Sequence, residues 1–488
     1  MTLTRNKMLS KGTIRAAVVC AAASLFAAYS TRDAQAVWRF VVTCDSRGNT
    51  NGINEKIATE IAAEVIKHDA DFLLFPGDLV SGYTASNPDT FESQLWAWVK
   101  LMQPLYDAGI GVYVGRGNHE TADLWSYVPL DPNDNFATRW INVFGSDLYP
   151  NQKLPGNGPA GEKHMTYSLI HKNALVLMLD HYAGTQHQAV HKVNQSWVDE
   201  RLAANTQTHV FVAGHEAAFR ALHTDCLDNH VPERDAFWTS LQNAGARAYF
   251  CGHDHFYEHA RIDDGDRNAN NDIHQFIIGS AGAWPYSWWP PFTGQNSHYT
   301  PEEWFYSERY GYLLVEIDDL TVKLTYMARD TWDLSTPGVY LSSDVWTYTV
   351  VPGPMMLSPN GGERLLTNFQ QPILWRTLHG ANIDQVKVEY SLDAGATWHQ
   401  IGVFPNTGSC LWQPPSTSSS QCLIKISDAS DATTSDTSDA PFTIFTCHAK
   451  LKADLNADCY VNHLDFLIMA DEWLDCGNPF DPACPTQP

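Results

Sequence analysis

The chain has 488 residues, of which 44% are hydrophobic and 18% charged, and this globular composition excludes a largely disordered protein. The length predicts two or more domains. The formal net charge of −24 argues against bulk binding to nucleic acid, because an acidic surface repels phosphate backbones.

Residues 1–36 are predicted to be a secretion signal that is cleaved after Ala36. A basic start precedes the apolar run AAVVCAAASLFAAY, which is too short to span a bilayer, and the small-residue pattern AQA follows. No later segment is apolar enough for a membrane span. We therefore expect a secreted protein, either periplasmic or extracellular.

The ten cysteines suit an exported protein. Loss of Cys20 with the signal leaves an odd number, so at least one thiol would be free or paired between chains. Cys410 and Cys422 are expected to form a disulfide, and Cys44 and Cys251 to be buried free thiols. Further disulfides are expected in the C-terminal segment, among Cys447, Cys459, Cys476 and Cys484.

Residues 37–352 alternate between apolar, β-rich runs and helical periodicity. The strand candidates are WRFVVTC, DFLLF, GVYVG, ALVLMLD, THVFVAG, ARAYFCG and HQFIIGS. Residues 53–68 and 91–106 carry apolar side chains at three- and four-residue spacing and are predicted to be helices. The later runs YGYLLVEID and TVKLTYMA indicate an antiparallel hairpin. The pattern predicts an α/β domain with a substantial parallel component.

Polar residues follow five of these strands at the point where each strand ends. In open α/β sheets, ligands bind outside the carboxyl ends of the strands, so these side chains are expected to meet at one edge. Oxygen and nitrogen ligands of this kind suit Mn, Fe or Zn. The residues are Asp45, Asp78, Asn118 with His119, His215, and His253 with His255.

Each of these residues alone has a plainer interpretation. An Asp after a strand is usually a turn or helix-capping residue, and a buried histidine is more often a hydrogen-bonded core residue. The ordered series GDLVSG, GNHE, GH and GHDH, spread over about 180 residues, favours a metal site instead.

These motifs resemble those of the calcineurin-like metallophosphoesterase superfamily, over roughly residues 37–330. The resemblance implies a four-layer α/β sandwich with two transition metals. It implies that Asp78 bridges the metals and that His119 stands beside the leaving group. The remaining ligands would be Asn118, His215 and His253 at one metal, and Asp45 and His255 at the other.

Phosphoester chemistry explains this choice of residues. Two cations neutralise the phosphate oxygens, lower the pKa of a water molecule and orient it for in-line attack. His119 is expected to protonate the departing alkoxide. The sequence therefore predicts a secreted, metal-dependent phosphoesterase acting on phosphate mono- or diesters.

Arg47 departs from the family pattern, which has a second histidine ligand at this place. A guanidinium has no lone pair to give, so the metal beside Asp45 is expected to bind more loosely, with His181 a weak candidate replacement ligand. Arg47 is predicted to clamp the substrate phosphate. An outward-facing Arg47 in a surface ion pair is the alternative.

The aromatic run AWPYSWWPPF, residues 283–292, is expected to lie beside the site. It would either stack against a nucleobase, sugar or aryl leaving group, or form a packed, rigid loop.

Residues 353–446 show short alternating strands with Gly and Pro turns and predict an all-β sandwich. The segment resembles the immunoglobulin- or fibronectin-like modules of secreted bacterial enzymes. We expect a spacer, or a module that binds carbohydrate or protein weakly.

Residues 447–488 are predicted to bind one Ca²⁺ through the stretch DLNADCYVNHLD, which has EF-hand ligand spacing and precedes an amphipathic helix. It resembles a single dockerin repeat, which implies a cohesin-like or surface partner. Cys459 takes the position usually held by Gly, and an acidic solvated turn is the alternative. The predicted ligands are Asp454, Asn456, Asp458, Tyr460, Asn462 and Asp465.

Two other functions stay open. The chain would be a non-catalytic secreted binding protein if Arg47 marks a degenerate metal site. The dockerin-like tail suggests instead a component of a polysaccharide-degrading assembly, although the chain has no recognisable pair of catalytic carboxylates for glycoside hydrolysis.

Overall fold

The protein is described here by a computed structural model. The signal residues 1–35, the loop positions Asn456 and Asp458, and the cysteines at 476 and 484 lie outside the described part. The structure describes residues 36–82, 88–121, 135–184, 190–266, 268–289, 292, 294, 297–367, 369–447, 451–455 and 459–471.

The first part of the chain forms two β-sheets. Every run predicted to be a strand forms one. The strands are β1 (Trp38–Val42), β2 (Arg47–Thr50), β3 (Phe72–Pro76), β4 (Gly111–Gly115), β5 (Tyr167–His171), β6 (Ala174–Leu179), β7 (His209–Gly214), β8 (Ala248–Cys251), β9 (Tyr257–Asp263), β10 (Ile273–Ile278), β11 (Thr300–Ser307), β12 (Gly311–Asp318), β13 (Thr321–Arg329) and β14 (Tyr340–Thr349).

The two sheets are mixed, with parallel strands at their centres. The first has the order β14-β13-β12-β1-β3-β4 and the second β11-β9-β10-β8-β7-β6-β5. β1, β3 and β4 pair in parallel, as do β6, β7, β8 and β10. β12 and β13 form the expected antiparallel hairpin. The α/β prediction is confirmed, and the carboxyl ends of the parallel strands carry the polar residues singled out above.

Helices connect the parallel strands. The expected single helix over residues 91–106 is wrong, since the segment forms two helices that meet at Met102, where Pro104 enters the first turn of the second. The helices are α1 (Glu55–Lys67), α2 (Pro88–Leu101), α3 (Gln103–Asp107), α4 (Phe136–Phe144), α5 (Gln195–Ala203) and α6 (Val231–Asn243).

An aromatic core joins the two sheets. The Phe40 ring of β1 lies 5.0 Å from the Phe211 ring of β7 and 6.2 Å from the Phe250 ring of β8. Burial of each such ring contributes about 2 kcal/mol. This rigid core fixes the relative positions of the strand ends in both sheets, which a site shared between them requires.

The helices cover the sheets through apolar stripes. α1 begins at Asn54, whose side chain accepts a hydrogen bond from the Ile57 N–H, and it buries Ile57, Ile61 and Val65. α5 and α6 bury Trp197 and Trp238 in a cluster with side chains of the second sheet. The full four-layer arrangement stays a prediction.

The region from residue 353 is mostly β, as expected. Two sheets, ordered β15-β17-β20 and β16-β23-β21-β18-β19, with β22 paired to β21, share one core. Its strands are β15 (Gly353–Ser358), β16 (Arg364–Leu366), β17 (Gln371–Leu378), β18 (Gln385–Ser391), β19 (His399–Pro405), β20 (Ser409–Trp412), β21 (Ser419–Asp428), β22 (Ser435–Thr437) and β23 (Phe442–Phe445).

Cysteine pairing differs from expectation at one place. Cys410 and Cys422 are free thiols on strands β20 and β21, and both side chains are buried in the core that the two sheets share. The predicted Cys410–Cys422 disulfide is therefore wrong. Cys44 and Cys251 are buried free thiols, as expected.

The described part of the tail contains helix α7 (His463–Asp471), and a disulfide joins Cys447 to Cys459. Among the described residues, no helix has the length and apolar character needed to cross a membrane.

Candidate metal centre

Three residues of the centre, each just after the end of a strand, adopt the left-handed backbone conformation. Asp45, Asp78 and His253 have φ of 65°, 53° and 71°. Non-glycine residues pay roughly 1 kcal/mol or more for this conformation, and such strain gathers at functional sites. Here it turns each side chain away from its strand direction and toward the edge shared by the two sheets.

Close backbone packing tightens this edge. The Gly252 N–H donates to the His215 carbonyl oxygen at 2.9 Å. A methyl group at Gly252 would overlap Cys44 and Asp45, so the β8 turn must carry a glycine to approach β1 this closely.

We call Asp78, Asn118, His215 and His253 the second position. His215 Nδ1 donates to the Pro76 carbonyl oxygen at 3.0 Å, so Nε2 carries the lone pair. That nitrogen lies 3.2 Å from Asn118 Oδ1 and 3.4 Å from Asp78 Oδ1. Burial lowers the pKa of His215 to about 3, so its ring is neutral. Three lone-pair atoms therefore face one another at ligand spacing.

His253 lies beside this group and brings a carboxylate that the sequence motifs did not reveal. Its Nε2 lies 3.3 Å from Asp225 Oδ2, and its ring packs 5.1 Å from the His215 ring. Burial alone would lower the pKa of His253, but Asp225 raises it to about 9. Asp225 lies in the loop after β7, in a segment without strand or helix periodicity, so no pattern pointed to it.

We call Asp45, Asp78 and His255 the first position. Asp45 Oδ1 lies 3.6 Å from His255 Nε2. His255 Nδ1 donates to the Trp284 carbonyl oxygen at 2.9 Å, which directs the Nε2 lone pair inward. Burial, together with the Asp78 carboxylate, raises the pKa of Asp45 to about 8.

Arg47 points into the first position. Its Nη2 donates to His255 Nε2 at 2.9 Å, and its Nε lies 3.4 Å from Asp78 Oδ2. A third nitrogen, Nη1, contacts His119 Nε2. Its side chain is 24% exposed. The outward-facing alternative for Arg47 is therefore wrong.

His119 is held from its other side. Its Nδ1 donates to the Ser81 carbonyl oxygen at 2.9 Å, and its backbone N–H donates to Asp78 Oδ1 at 3.1 Å. Burial lowers its pKa. His119 Nε2 therefore lies beside Arg47 at the mouth of the centre.

Glu120 supports the centre in a way that the sequence did not indicate, although the motif GNHE includes it. Its buried carboxylate accepts hydrogen bonds from the N–H groups of Gly117 at 2.7 Å, Asp78 at 2.9 Å and Val80 at 3.2 Å. These bonds tie the turn after β3 to the turn after β4 and fix the separation of Asp78 and Asn118.

Two buried oxygens mark where a cation is needed. Asp45 Oδ1 and Asp78 Oδ2 accept no hydrogen bond from any residue that the structure describes. Asp45, Asp78 and His215 offer ligand atoms within 4.8 Å of one another. Buried carboxylate oxygens without donors are costly, so these oxygens require a neighbouring positive charge, and the donor set of Asp78, Asn118 and His215 suits a metal ion.

His181 does not contribute to the first position. Its Nδ1 accepts a hydrogen bond from the Glu216 N–H at 3.0 Å, and its Nε2 lies 3.3 Å from the Tyr249 hydroxyl. Both ring nitrogens are thus engaged on the other side of β7.

An open cavity of about 680 Å³ adjoins the centre. Arg47, His255, Trp284 and Tyr286 are among its lining residues. The Tyr286 ring stacks on His255 at 4.1 Å, whereas the Trp284 side chain is 81% exposed. The aromatic run therefore lies beside the centre, as expected, and it combines a packed ring with an open one.

The described part of the tail loop folds around Asp465. Its carboxylate accepts hydrogen bonds from the N–H groups of Leu455 at 2.6 Å and Asn462 at 2.8 Å, and Asp454 accepts one from Cys459 at 2.9 Å. Cys459 has a φ of 75°, the left-handed turn for which EF-hand loops use glycine. Tyr460, another predicted calcium ligand, is among the residues that the structure describes.

The chain is similar to known phosphoesterases. The family model for calcineurin-like phosphoesterases matches residues 39–257. A comparison with curated protein sequences gave no match.

Three solved structures are similar at low identity. A purple acid phosphatase from yellow lupin (Lupinus luteus) seeds has 16% identity and a TM-score of 0.46, and the match covers 64% of this chain and 54% of that one. GAP50, the anchor in the inner membrane complex of Plasmodium, has 15% identity and a TM-score of 0.39, with coverage of 63% and 89%. A predicted phosphoesterase from Streptococcus pneumoniae has 14% identity and a TM-score of 0.26, with coverage of 64% and 100%.

This chain thus spans about half the length of the lupin protein. Residues 39–257 match a calcineurin-like phosphoesterase domain, and that segment contains every strand-end residue of the candidate centre.

Proposed function

We propose that the chain is a metal-dependent phosphoesterase that hydrolyses phosphate mono- or diesters. The observation that carries the proposal is the convergence of Asp78, Asn118 and His215 at ligand spacing beside a buried carboxylate oxygen that lacks a donor. The match of residues 39–257 to a phosphoesterase family supports it.

The residues at the second position suit a Mn, Fe or Zn ion: two imidazoles, one amide oxygen and one carboxylate. When bound, such an ion neutralises phosphate charge and lowers the pKa of a nearby water molecule. Asp78 would hold the ion from the β3 side, and His215 from the β7 side.

The protein groups then divide the remaining work. Arg47 is proposed to hold the phosphate through its fixed positive charge, since its N–H groups also contact His255, His119 and Tyr286. His119 is oriented by its bond to Ser81. It protonates the departing oxygen from its doubly protonated form, because Nε2 of the neutral ring carries a lone pair. The adjoining cavity has room for the leaving group, with Trp284 as a stacking surface.

Assays of the purified protein with aryl phosphate mono- and diesters and added Mn, Fe, Zn or Mg test the proposal. We expect turnover with at least one metal and its loss in Asp78→Ala. Asp319→Ala, in the turn between β12 and β13, serves as the matched control. Absence of turnover with every metal and both ester classes would contradict the function.

A second candidate, a non-catalytic binding protein, is favoured by one observation. The Arg47 side chain lies against His255, at the place where the family has a set of metal ligands. Metal binding without turnover on any phosphoester would identify this case.

We further propose that residues 37–352 are the catalytic domain, 353–446 an immunoglobulin- or fibronectin-like module, and 447–488 a dockerin-like tail. Secretion with cleavage after Ala36 is part of this proposal, and N-terminal sequencing of the exported protein tests it.

The tail is proposed to bind one Ca²⁺, as the left-handed Cys459 and the loop closed on Asp465 support. Binding would allow docking to a cohesin-like or surface partner, including one in a polysaccharide-degrading assembly. Calorimetric titration with Ca²⁺ should give a heat that Asp465→Ala weakens. No heat from the intact chain would contradict the site.

A further inference from the structure

The first position does not fit a metal ion as the chain stands. Its ligand atoms would be Asp45 Oδ1, Asp78 Oδ2 and His255 Nε2. Arg47 already contacts the last two, with Nη2 2.9 Å from His255 Nε2 and Nε 3.4 Å from Asp78 Oδ2. A guanidinium carries its charge at every accessible pH and donates only.

The tautomers of the two histidines show what the guanidinium does there. His255 and His119 each donate through Nδ1 to a carbonyl oxygen, of Trp284 and Ser81 respectively. Their Nε2 atoms are therefore acceptors, and both face Arg47. The lone pair that His255 would give to a metal is used by an N–H of Arg47.

Tyr286 keeps the guanidinium in this place. Its hydroxyl accepts from Arg47 Nη2 at 3.3 Å, and its ring stacks on His255 at 4.1 Å. Arg47 itself begins β2, where it forms an antiparallel bridge with Ile53. Its backbone is thus anchored while its side chain spans the first position.

We propose that the Arg47 guanidinium replaces one metal ion, so that the chain binds a single ion at the second position. A divalent ion at the first position would sit within contact distance of a fixed positive charge and would lose the His255 lone pair to it. In place of the two metal ions expected from the sequence, the centre would hold one ion and the Arg47 guanidinium. This inference deepens the proposed function and rests on the second position being a metal site.

The number of bound ions tests the proposal without reference to turnover. The full chain is loaded with Mn²⁺ in the presence of excess Ca²⁺, which fills the proposed tail site, then freed of unbound ions and analysed for Mn per chain and by electron paramagnetic resonance. We expect about one ion per chain and no signal from coupled ion pairs. Two ions per chain with a coupled signal would overturn the proposal, and so would none.

Arg47→His supplies the missing ligand and should raise the content to about two ions with a coupled signal. Arg39→His is the matched control, because Arg39 pairs with Glu316 at 3.0 Å on β1, away from the centre, and it should stay at one. An Arg47→His chain that is folded by circular dichroism but still binds one ion would show that Arg47 is not what keeps a second ion out. If Arg47→His fails to fold, the wild-type count alone decides. A wild-type chain with one ion but no turnover contradicts the function and leaves this inference intact.

Discussion

The two positions of the centre share Asp78, the same sheet edge and the same kinds of ligand, yet they differ in what fills them. At the second position, His215 Nε2 faces two oxygens at 3.2 and 3.4 Å with no hydrogen to offer. At the first position, Arg47 Nη2 donates a hydrogen bond to His255 Nε2, and Arg47 Nε lies 3.4 Å from Asp78 Oδ2. One side chain, two residues after Asp45, thus places a guanidinium against atoms that would otherwise serve as metal ligands.

The largest expected effect comes from breaking the second position. Asn118→Ala removes one of three converging ligand atoms, so bound metal and turnover should both be lost, the latter by more than about 100-fold, because even groups that only orient ligands change metal affinity by 10–100-fold. Metal analysis and phosphoester assays measure this.

Asn382→Ala is the matched control, since Asn382 is exposed in the mostly-β region. Full metal content and activity in Asn118→Ala would show that the metal does not bind at the second position.

His119→Asn separates chemistry from metal binding. The change removes the proposed general acid and should lower kcat by about 100-fold, the low end for such groups, with unchanged metal content. The loss should be smaller for an aryl leaving group than for an alkyl one, which needs its proton more.

His171→Asn, at the end of β5, is the control for His119→Asn. Equal losses of kcat with aryl and alkyl esters would argue that His119 is not the acid.

Arg47→Ala empties the first position of its guanidinium. Hydrogen bonds to charged groups contribute about 1.5–3 kcal/mol, so KM should rise and kcat should fall by about 10-fold each. Steady-state kinetics measure this, beside Arg39→Ala as control. Unchanged constants would show that Arg47 does not contact substrate.

Tyr286→Phe sharpens the same point with a smaller change. It keeps the ring on His255 but removes the acceptor for Arg47, so kcat/KM should fall only a few-fold, as for one hydrogen bond of about 1 kcal/mol. A loss as large as that of Arg47→Ala would mean that the hydroxyl has a role of its own.

Acid is expected to lower the stability of the fold through the buried histidine His209. It is buried in β7, donates through Nε2 to the Asp319 carbonyl oxygen at 2.7 Å, and its Nδ1 has no partner among the described residues. Burial lowers its pKa to about 4. The unfolded chain therefore binds the proton more readily, and stability is lost as the pH falls from about 6.5 through 4, by about 3 kcal/mol in total.

His209→Gln should flatten this loss of stability without changing kcat at neutral pH. Melting temperatures between pH 7 and pH 4 measure it. A variant that loses stability on acidification as steeply as the wild type would contradict the assignment.

The strands and the meeting of the polar strand-end residues at one edge could be predicted from the sequence, because strand ends in α/β sheets collect polar side chains and the motifs kept their order. The sequence could not predict Asp225, which reaches His253 from an irregular loop. It also could not place the Arg47 side chain, since a charged residue after a turn is equally compatible with solvent and with a ligand set.

Two other expectations failed. The spacing of Cys410 and Cys422 suggested a disulfide, but sequence spacing does not determine how two side chains lie in the folded core, and both thiols are free. The helix over residues 91–106 was broken by a proline whose position allows either a kink or a new first turn.

Anomalous diffraction from metal-loaded crystals of the intact chain tests the central claim most directly. We expect a single anomalous peak in the candidate centre, bounded by Asp78, Asn118 and His215, with the Arg47 guanidinium beside His255. Two peaks, the second between Asp45 and His255 with Arg47 displaced, would contradict it.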